Sequence, residues 1–600
     1  MRIKRFLPVL LAVMVVLGYS VPAMACTGLY VGGDYSQNGS TYFGRSEDLE
    51  NNGIKIFGVQ EAKDWPEGTV YTDNDGFSMP MPTHTFRYSY MRDSKNFTPA
   101  PTDNNGNVAG QAYGEVGMNE KGVSVSATVS TRAGVKVVGN KKAGITGADP
   151  LVDGGITEIS LGSILLGISE SARDGVEKLA AIIDKYGAGE NNSLMIGDTN
   201  EVWYVEILSG HQYAAVRMPA DKVSVQPNMI LMGAIDVNDK ENVIVSPNLV
   251  KLAEDNGFLV KDESGKIDVA LTYRGTIAES QKGNGNLTRY WMAGNYLNSA
   301  LFANESLESF RGEGNQVKLL FDADRKLTTA EVLGILKQRG IGTKYDHTKD
   351  NSIYPVGNEN QMEVHVFEKR TNKPLELTTV QWQGMADAPY TIFIPYYTAL
   401  MSKVNPKYEE DGNKTYIDGS IHWLFNDLND LCMQNYSPQL EKGVREYLDL
   451  IQNSLIEQQV ELDVHMQNEL AKGHDKAQAE ANRLGIEISD QVYDLVKTLR
   501  DEVKAYINNN DTSKEFVASG FTSNLVPKYN FIKEKPNGKA EIEDSDDSTK
   551  TSGDVTHDNV TNNHDKKNVK TGDRAPITIL IIVVVIAVIA LIVTLIKRRK

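Results

Sequence analysis

The chain has little cysteine: Cys26 and Cys432 are the two cysteines among its 600 residues. Secreted proteins that depend on disulfides usually carry several pairs, so the sequence does not specify a disulfide framework. One bridge between these two residues is an alternative, but it would tie down a flexible terminus and nothing else. Cys26 therefore calls for a chemical explanation.

Positive charge is also scarce. The chain has 62 lysine and arginine residues against 79 aspartate and glutamate residues, and its formal net charge is −17. Nucleic-acid binding needs a basic surface that faces the phosphates, so we expect no nucleic-acid partner. Hydrophobic residues make up 40% of the chain, which suffices for a large core. The length corresponds to about two to four domain-sized units.

Long apolar runs without charge lie near the two ends of the chain. Residues 1–25 contain three early basic residues, then the run FLPVLLAVMVVLGYSV, and then Ala23-Met24-Ala25. This order is typical of a secretory signal peptide with an A-x-A cleavage site. We expect signal peptidase to cut after Ala25, which makes Cys26 the first residue of the mature protein.

The second run, residues 577–596, has twenty residues and no charge. A helix that rises ~1.5 Å per residue crosses the ~30 Å hydrocarbon layer over this length, so we expect one transmembrane helix. The basic tail 597–600 would then lie in the cytoplasm. The preceding residues 511–575 are expected to form a linker, which from about residue 534 is rich in polar residues and predicts a disordered, solvated spacer.

The motif NVKTG, residues 568–572, comes just before this run. Together with the apolar run and the basic tail it resembles a sortase sorting signal of Gram-positive bacteria, although the usual pattern has proline where this chain has Val569. The resemblance implies cleavage between Thr571 and Gly572 and attachment to cell-wall peptidoglycan. A plain membrane anchor is the alternative. Both predict a protein on the extracellular face of the cell surface.

The residues after Cys26 predict a β-hairpin. Two β-rich segments flank DYSQNG, which contains an Asn-Gly turn signal. Partners in a hairpin have residue numbers with a constant sum, so a turn centred near residue 36 or 37 returns Arg45-Ser46-Glu47-Asp48 to the side of Cys26. The sequence thus predicts one cation and two carboxylates next to this cysteine.

Strands and helices are mixed along the rest of the chain, which favours a layered α/β or α+β body. The patterns predict a turn at 119–122 between strands, two short helices within 158–187, three strands within 193–219, and long amphipathic helices at 437–485 and 490–509.

A cysteine at the first position of a mature chain carries its own base. A thiol is mostly protonated at neutral pH and needs a group that takes its proton. The free α-amine has a pKa of ~7.7–8.0, which is close to the pH at which a general base works best. Arg45 would favour the thiolate, and Asp48 would orient Arg45 or the ammonium form. A surface salt bridge is the alternative for these two residues.

The segment CTGLYVGGDYSQNGSTYFGRSEDLE, which starts at Cys26, resembles the opening of the N-terminal-nucleophile hydrolases that use cysteine, in particular the dipeptidase A family of lactic acid bacteria. Further blocks resemble that family in the same order: GMNEKGVSVSAT, EVWYVEILSGHQYAAVRMPADKVSVQPN, VIVSPNLV, KYDHT and APYTIFIPYYTA. The resemblance implies an α+β fold, a four-layer αββα sandwich over residues 26–510 with a long helical part at about 433–510. It also implies hydrolysis of dipeptides without a metal or other cofactor.

The resemblance assigns roles to five residues. Cys26 is implied as nucleophile and base, with Arg45 and Asp48 as the pair beside it. Asn228, which follows DKVSV, resembles the asparagine whose side-chain amide stabilises the oxyanion. Arg289 in NLTRYW resembles the late arginine of the wider superfamily.

Two other functions stay open from the sequence. The choloylglycine hydrolase family shares the cysteine start, the R-x-x-D spacing and an N-E-K-G turn, which would indicate an amidase of acylated amino acids, bile-salt conjugates or penicillin-like amides. A dipeptide has a free α-amine and calls for a carboxylate in the pocket, whereas an acyl amide calls for an apolar pocket. Alternatively, Cys26 is the acylated cysteine of a lipoprotein-like binding protein, although a lipobox prefers a large aliphatic residue where this chain has Ala23. A homo-oligomer is also open.

Overall fold

A computed structural model of the chain describes residues 26–49, 53–281, 283–408, 416–509, 514–534 and 540–542. The predicted signal peptide 1–25, the motif 568–572, the apolar run 577–596 and the tail 597–600 lie outside these ranges. Within the described ranges, no helix combines the length and the apolar character that crossing a bilayer requires.

Fourteen strands of the described chain form two antiparallel sheets. In chain order they are β1 Thr27–Val31, β2 Thr41–Asp48, β3 Lys55–Gln60, β4 Tyr88–Asp93, β5 Val116–Met118, β6 Ser124–Ser130, β7 Asn192–Gly197, β8 Val202–Ile207, β9 Tyr213–Arg217, β10 Val223–Gln226, β11 Val243–Val245, β12 Gln361–Lys369, β13 Thr379–Met385 and β14 Ile394–Tyr396. The six-stranded sheet has the order β10-β1-β2-β12-β13-β14, and the eight-stranded sheet has the order β11-β9-β8-β7-β6-β5-β4-β3.

The longer helices lie mainly between the strand groups and after the last strand. Those of seven or more residues in the described chain are α1 Glu158–Ile168, α2 Ala172–Tyr186, α3 Leu249–Asp255, α4 Gly285–Leu297, α5 Thr329–Ile335, α6 Ile421–Gln434, α7 Pro438–Ala471 and α8 His474–Asn508. The predicted pair of short helices within 158–187 is confirmed, as are the three strands within 193–219.

The two sheets pack face to face, and helices cover their outer faces. Phe43 of β2 lies between the sheets, where a Cβ atom on Gly197 of β7 would come within 2.5 Å of its ring. Successive residues of a strand point to opposite faces. Met195 of β7 accordingly joins the core that contains Phe43, whereas Leu194 and Ile196 join the core under α1 and α2. On the other side, α6 and α8 contact β13 and β14.

The C-terminal helices break at a different residue from the predicted one. The pattern predicts helices at 437–485 and 490–509, whereas the structure has α7 and α8 with the break at Gly473. Gly473 has a φ of +126°, a conformation that residues with a Cβ atom rarely adopt. Gly485 lies inside α8, where a Cβ atom would come within 3.2 Å of the Tyr396 ring, so this glycine serves packing.

The folded body also continues past residue 510. Phe516, Ala518 and Tyr529 are buried and belong to the main hydrophobic core. The predicted linker 511–575 therefore begins too early. These residues follow the end of the long helical pattern at residue 509, and no helical or strand periodicity in the sequence marks them as part of the core.

Candidate active site

The hairpin of β1 and β2 brings Arg45 to the side of Cys26. Thr27 pairs with Ser46, and Gly28 pairs with Arg45, which is the register that a turn centred between residues 36 and 37 predicts. The Arg45 Nη1 donates to the Cys26 Sγ across 3.7 Å. The first residue that follows the predicted cleavage site therefore lies against a guanidinium.

The thiol of Cys26 is 4% exposed, and its surroundings act on its protonation in opposite directions. Burial raises the pKa of the thiol, and the carboxylates of Asp48 and Glu47 raise it further. Arg45 and the backbone N–H of Asp48 lower it, because both stabilise the thiolate. In the unprocessed chain the nitrogen of Cys26 is an amide, so the thiol has no base of its own and burial keeps it protonated.

Asp48 lies near the thiol but does not pair with Arg45. Among the described residues its carboxylate accepts hydrogen bonds from Asn358 Nδ2 at 2.7 Å, Ser46 Oγ at 2.8 Å and Tyr354 OH at 3.4 Å. Burial raises the pKa of Asp48 to about 6, against the opposing effect of Arg289. The expectation that Asp48 orients Arg45 is wrong, because residues three apart on a strand point to opposite faces.

Arg289 of α4 binds the backbone of the cysteine itself. Its Nη1 donates to the carbonyl oxygen of Cys26 and, at 2.8 Å, to Thr27 Oγ1. Its Nη2 donates to Asn228 Oδ1 at 2.8 Å and to Asn286 Oδ1 at 2.5 Å. Burial lowers the pKa of this guanidinium, while Asp48 acts to raise it. One side chain thus links the cysteine to the predicted oxyanion residue.

Asn228 follows β10 and presents an unused donor. Because its Oδ1 accepts from Arg289, its Nδ2 is turned away from that guanidinium. Nδ2 is buried and has no hydrogen-bond partner in the described part of the chain. A buried N–H without a partner costs about 1–3 kcal/mol, so its presence beside the cysteine suits a group that receives a partner during the reaction.

A buried carboxylate holds the loop that carries Asn228. Glu206 of β8 accepts hydrogen bonds from the backbone N–H groups of Leu231 at 2.5 Å and Met232 at 3.2 Å, and from Tyr204 OH at 2.9 Å. Burial raises the pKa of Glu206 to about 7. Glu206 was not singled out from the sequence, since only the packing of β8 beside this loop reveals its role.

A cluster of buried charges lies behind Arg45. The guanidinium forms ion pairs with Glu115, with Glu47 at 3.6 Å and with Glu363 at 3.9 Å. Lys55 Nζ lies 2.7 Å from Glu47 and from Asp93, and 3.6 Å from Glu115. Burial lowers the pKa of Arg45, but these carboxylates and the thiol outweigh that effect and raise it. This cluster, Arg45, Glu47, Lys55, Asp93, Glu115 and Glu363, is called the Arg45 cluster below.

Most of the Arg45 cluster was missed by the sequence reasoning. Glu47 was placed beside the cysteine by the hairpin, but Lys55, Asp93, Glu115 and Glu363 were not. Glu115 stands among small and apolar residues in GEVGM, and a charged residue in such a run is a signal for a buried ion pair. Within the described ranges, no group of three or more histidine, cysteine, aspartate or glutamate residues has the arrangement of a metal-ion site.

Comparison with known proteins identifies the class of this chain. Residues 25–448 match the model of Peptidase family C69, and this match spans more than half of the 600 residues. The match identifies the class of the chain as a peptidase. The chain belongs to peptidase family C69.

Named relatives carry dipeptidase descriptions. The probable dipeptidase B of Streptococcus pyogenes serotype M1 is 30% identical over 492 residues, which cover 79% of this chain and 92% of that protein. The probable dipeptidase of Latilactobacillus sakei is 28% identical over 419 residues, 69% of this chain and 82% of that protein. The crystal structure of a mutant of the conjugated bile acid hydrolase from Clostridium perfringens aligns with 60% of this chain and 89% of that protein, at 14% identity and a TM-score of 0.24.

Proposed function

We propose that the chain is an extracellular cysteine-type dipeptidase of the N-terminal-nucleophile kind, in which Cys26 is the nucleophile and its α-amine is the general base. The observation that carries the proposal is the set of groups around one sulfur. A thiol at the predicted mature N-terminus lies 3.7 Å from a guanidinium. Arg289 links the same residue to Asn228, whose buried Nδ2 has no hydrogen-bond partner among the described residues.

In this mechanism, cleavage after Ala25 creates the catalyst. The freed α-amine takes the thiol proton, and the thiolate attacks the carbonyl carbon of the dipeptide. Asn228 Nδ2 donates to the oxyanion, and the α-ammonium returns its proton to the leaving amine as the C–N bond breaks. Water, deprotonated by the same amine, then hydrolyses the thioester and releases the first amino acid. Each proton that the amine takes is returned within the cycle.

The charge around Arg45 favours a dipeptide over an acyl amide. In a dipeptide the free ammonium is attached to the carbon next to the reacting carbonyl, so the group that binds it must lie near the thiol. Two carboxylates, those of Glu47 and Glu363, lie 3.6 Å and 3.9 Å from the guanidinium of Arg45. These two carboxylates would stabilise an additional ammonium, whereas they would not stabilise an apolar acyl group.

The proposed location rests on the sequence. The signal peptide 1–25, the motif 568–572 and the run 577–596 support export by signal peptidase and retention at a Gram-positive cell surface, through sortase and peptidoglycan or through the membrane. A surface enzyme of this kind would trim peptides for uptake.

Two chains that differ by one residue test the mechanism. One begins at Cys26, and the other keeps Ala25 before it, so that the α-amine of the cysteine is an amide. We expect the first chain to hydrolyse alanyl-alanine and the second to lack this activity. The substitution Cys26→Ala in the first chain should also abolish it. Equal rates for the two chains would refute the role of the amine. Faster cleavage of N-acetylalanyl-alanine than of alanyl-alanine would indicate an amidase, and an acylated Cys26 in the exported protein would indicate a lipoprotein.

A further inference from the structure

Arg45 can favour the thiolate only if its guanidinium stays beside the sulfur. Its Nη1 lies 3.7 Å from Cys26 Sγ and also donates to the carbonyl oxygen of Ser46 at 3.3 Å. An arginine side chain has several rotatable bonds, and fixing it in one place costs about 1.5–2 kcal/mol of conformational entropy. The contacts at the far side of the guanidinium therefore decide where Nη1 lies.

Glu115 supplies that far-side contact. It comes directly before β5, is 3% exposed, and accepts a hydrogen bond from Arg45 Nη2 at its Oε2. The same oxygen accepts from the backbone N–H of Thr128 at 3.2 Å. Arg45 Nε donates to the carbonyl oxygen of Ala127 at 2.8 Å, and the N–H of Ala127 donates to the backbone oxygen of Glu115 at 3.1 Å. These contacts form a closed ring that joins Arg45, Glu115 and the backbone of β6.

The other carboxylates near Arg45 are less able to hold it. Glu47 lies 3.6 Å from the guanidinium and is closer to Lys55, at 2.7 Å. Glu363 lies 3.9 Å away, and its carboxylate contacts His365 at 3.1 Å. Among the described carboxylates, only Glu115 is within hydrogen-bond distance of Arg45.

We propose that Glu115 is a positioning residue that holds the guanidinium of Arg45 beside the Cys26 thiol. The inference deepens the proposed function and rests on it, since it assigns to Glu115 the task of keeping the thiolate-stabilising cation in place. Glu115 itself acts through Arg45 and is not assigned a contact with the reacting atoms.

Removing the carboxylate has two opposite effects on the pKa of the thiol, and their balance decides whether that pKa rises or falls. Loss of a negative charge lowers the pKa of the thiol, whereas release of Arg45 raises it. The leading influences on the pKa of Cys26 are burial, Arg45, Asp48 and Glu47, and Glu115 is not among them. Release of Arg45 should therefore dominate, and the pKa of the thiol should rise.

The test uses the chain that begins at Cys26 and measures two quantities for each variant. The first is the pH midpoint of Cys26 alkylation by iodoacetamide, read from the mass of the N-terminal peptide so that Cys432 does not contribute. The second is kcat and KM for alanyl-alanine. Glu115→Gln is the main variant, and Glu115→Asp keeps a carboxylate on a shorter side chain. Asp93→Asn is the matched control, because it removes a carboxylate of the Arg45 cluster that contacts Lys55 at 2.7 Å.

We expect Glu115→Gln to move the alkylation midpoint upward by about one pH unit, the effect of withdrawing a close opposite charge. Its kcat should fall about tenfold to a hundredfold with KM within about threefold, as for a displaced catalytic group. Glu115→Asp should change the midpoint and kcat in the same direction but by less than Glu115→Gln. Asp93→Asn should change neither the midpoint nor kcat by a comparable amount. In a chain with Arg45→Met, adding Glu115→Gln should not raise the midpoint further.

An unchanged or lowered midpoint in Glu115→Gln would overturn the proposal, as would an equal shift in Asp93→Asn. If Glu115→Gln does not fold, Glu115→Asp still decides the matter, because the positioning role predicts a raised midpoint for that variant as well. Absence of dipeptide hydrolysis in the parent chain would refute the proposed function, while the alkylation midpoints would still report the coupling of Glu115 to Cys26.

Discussion

Asn228→Asp should remove most of the turnover while the fold stays intact. In the structure, Asn228 Oδ1 accepts a hydrogen bond from Arg289 Nη2 at 2.8 Å, and Nδ2 has no partner among the described residues. Aspartate has the same shape and keeps an oxygen for Arg289. It deletes the one N–H that the mechanism assigns to the oxyanion. The substitution therefore separates the structural role of this side chain from the proposed catalytic role.

The size of the effect follows from the contact that is lost. Removal of one oxyanion donor costs about 2.7–4 kcal/mol in the transition state, or about 10²–10³ in kcat. A new negative charge at this position also repels the oxyanion, so Asn228→Asp should lie at the upper end of that range. Asn228→Ala loses the hydrogen bond to Arg289 as well, and a bond to a charged group contributes about 1.5–3 kcal/mol to stability.

The assay measures kcat and KM for alanyl-alanine together with the thermal unfolding of each variant. We expect both variants to lose turnover, and we expect only Asn228→Ala to unfold at a lower temperature. A kcat for Asn228→Asp within about threefold of the parent would refute the assignment of Nδ2. Loss of activity in Asn228→Ala alone would show that the side chain serves the structure through Arg289.

Three further changes test the physical reasoning. The native pKa of Asp48, about 6, lies above its ordinary 3.8, so its contribution to stability is present below about pH 4 and is lost as the pH rises through 6. The free energy of unfolding, measured with denaturant, should be lower at pH 8 than at pH 4, and this difference should be smaller by about 3 kcal/mol in Asp48→Asn. Equal differences in the two chains would contradict the raised pKa of Asp48. Gly44→Ala should lower the unfolding temperature, because the new Cβ would lie 2.1 Å from the carbonyl oxygen of His365 and overpacking costs about 1–3 kcal/mol; an unchanged melting curve would argue against the close approach. Glu206→Gln should lower kcat, because an amide donor would face the backbone N–H groups of the Asn228 loop that the carboxylate of Glu206 now accepts from. Measuring kcat and KM for alanyl-alanine would detect this as a lower kcat with an unchanged KM. An unaltered kcat would show that Glu206 does not support the site.

The part of the site that is local in sequence was predictable from the sequence. The Asn-Gly turn and the constant-sum rule of hairpins place Arg45 beside Cys26, and the observed register agrees. The same strand alternation also decides that Arg45 and Asp48 point to opposite faces. That conclusion was within reach of the sequence, and the expectation that Asp48 orients Arg45 failed because nearness of two residues in a strand does not place their side chains on the same face.

The rest of the site depends on contacts between distant segments. Glu115 reaches Arg45 only because the two sheets stack, and no local pattern states which strands will face each other. The orientation of Asn228 is likewise set by Arg289, which is 61 residues away in sequence. The helix break at Gly473 was missed for a related reason, since a glycine inside a helical pattern marks a break at one position and close packing at another.

The position of β1 has a consequence for the lifetime of the proposed mature protein, whose first residue would be Cys26. This strand starts one residue after Cys26 and pairs with β10 on one side and β2 on the other, while Arg289 holds the carbonyl oxygen of Cys26. Chain ends usually fray and are shortened by aminopeptidases, which must draw an extended free end into their own active sites. Here the first residues form an inner strand of a sheet. The amino acid on which the proposed chemistry depends would thus be the one that neighbouring exopeptidases are least able to remove.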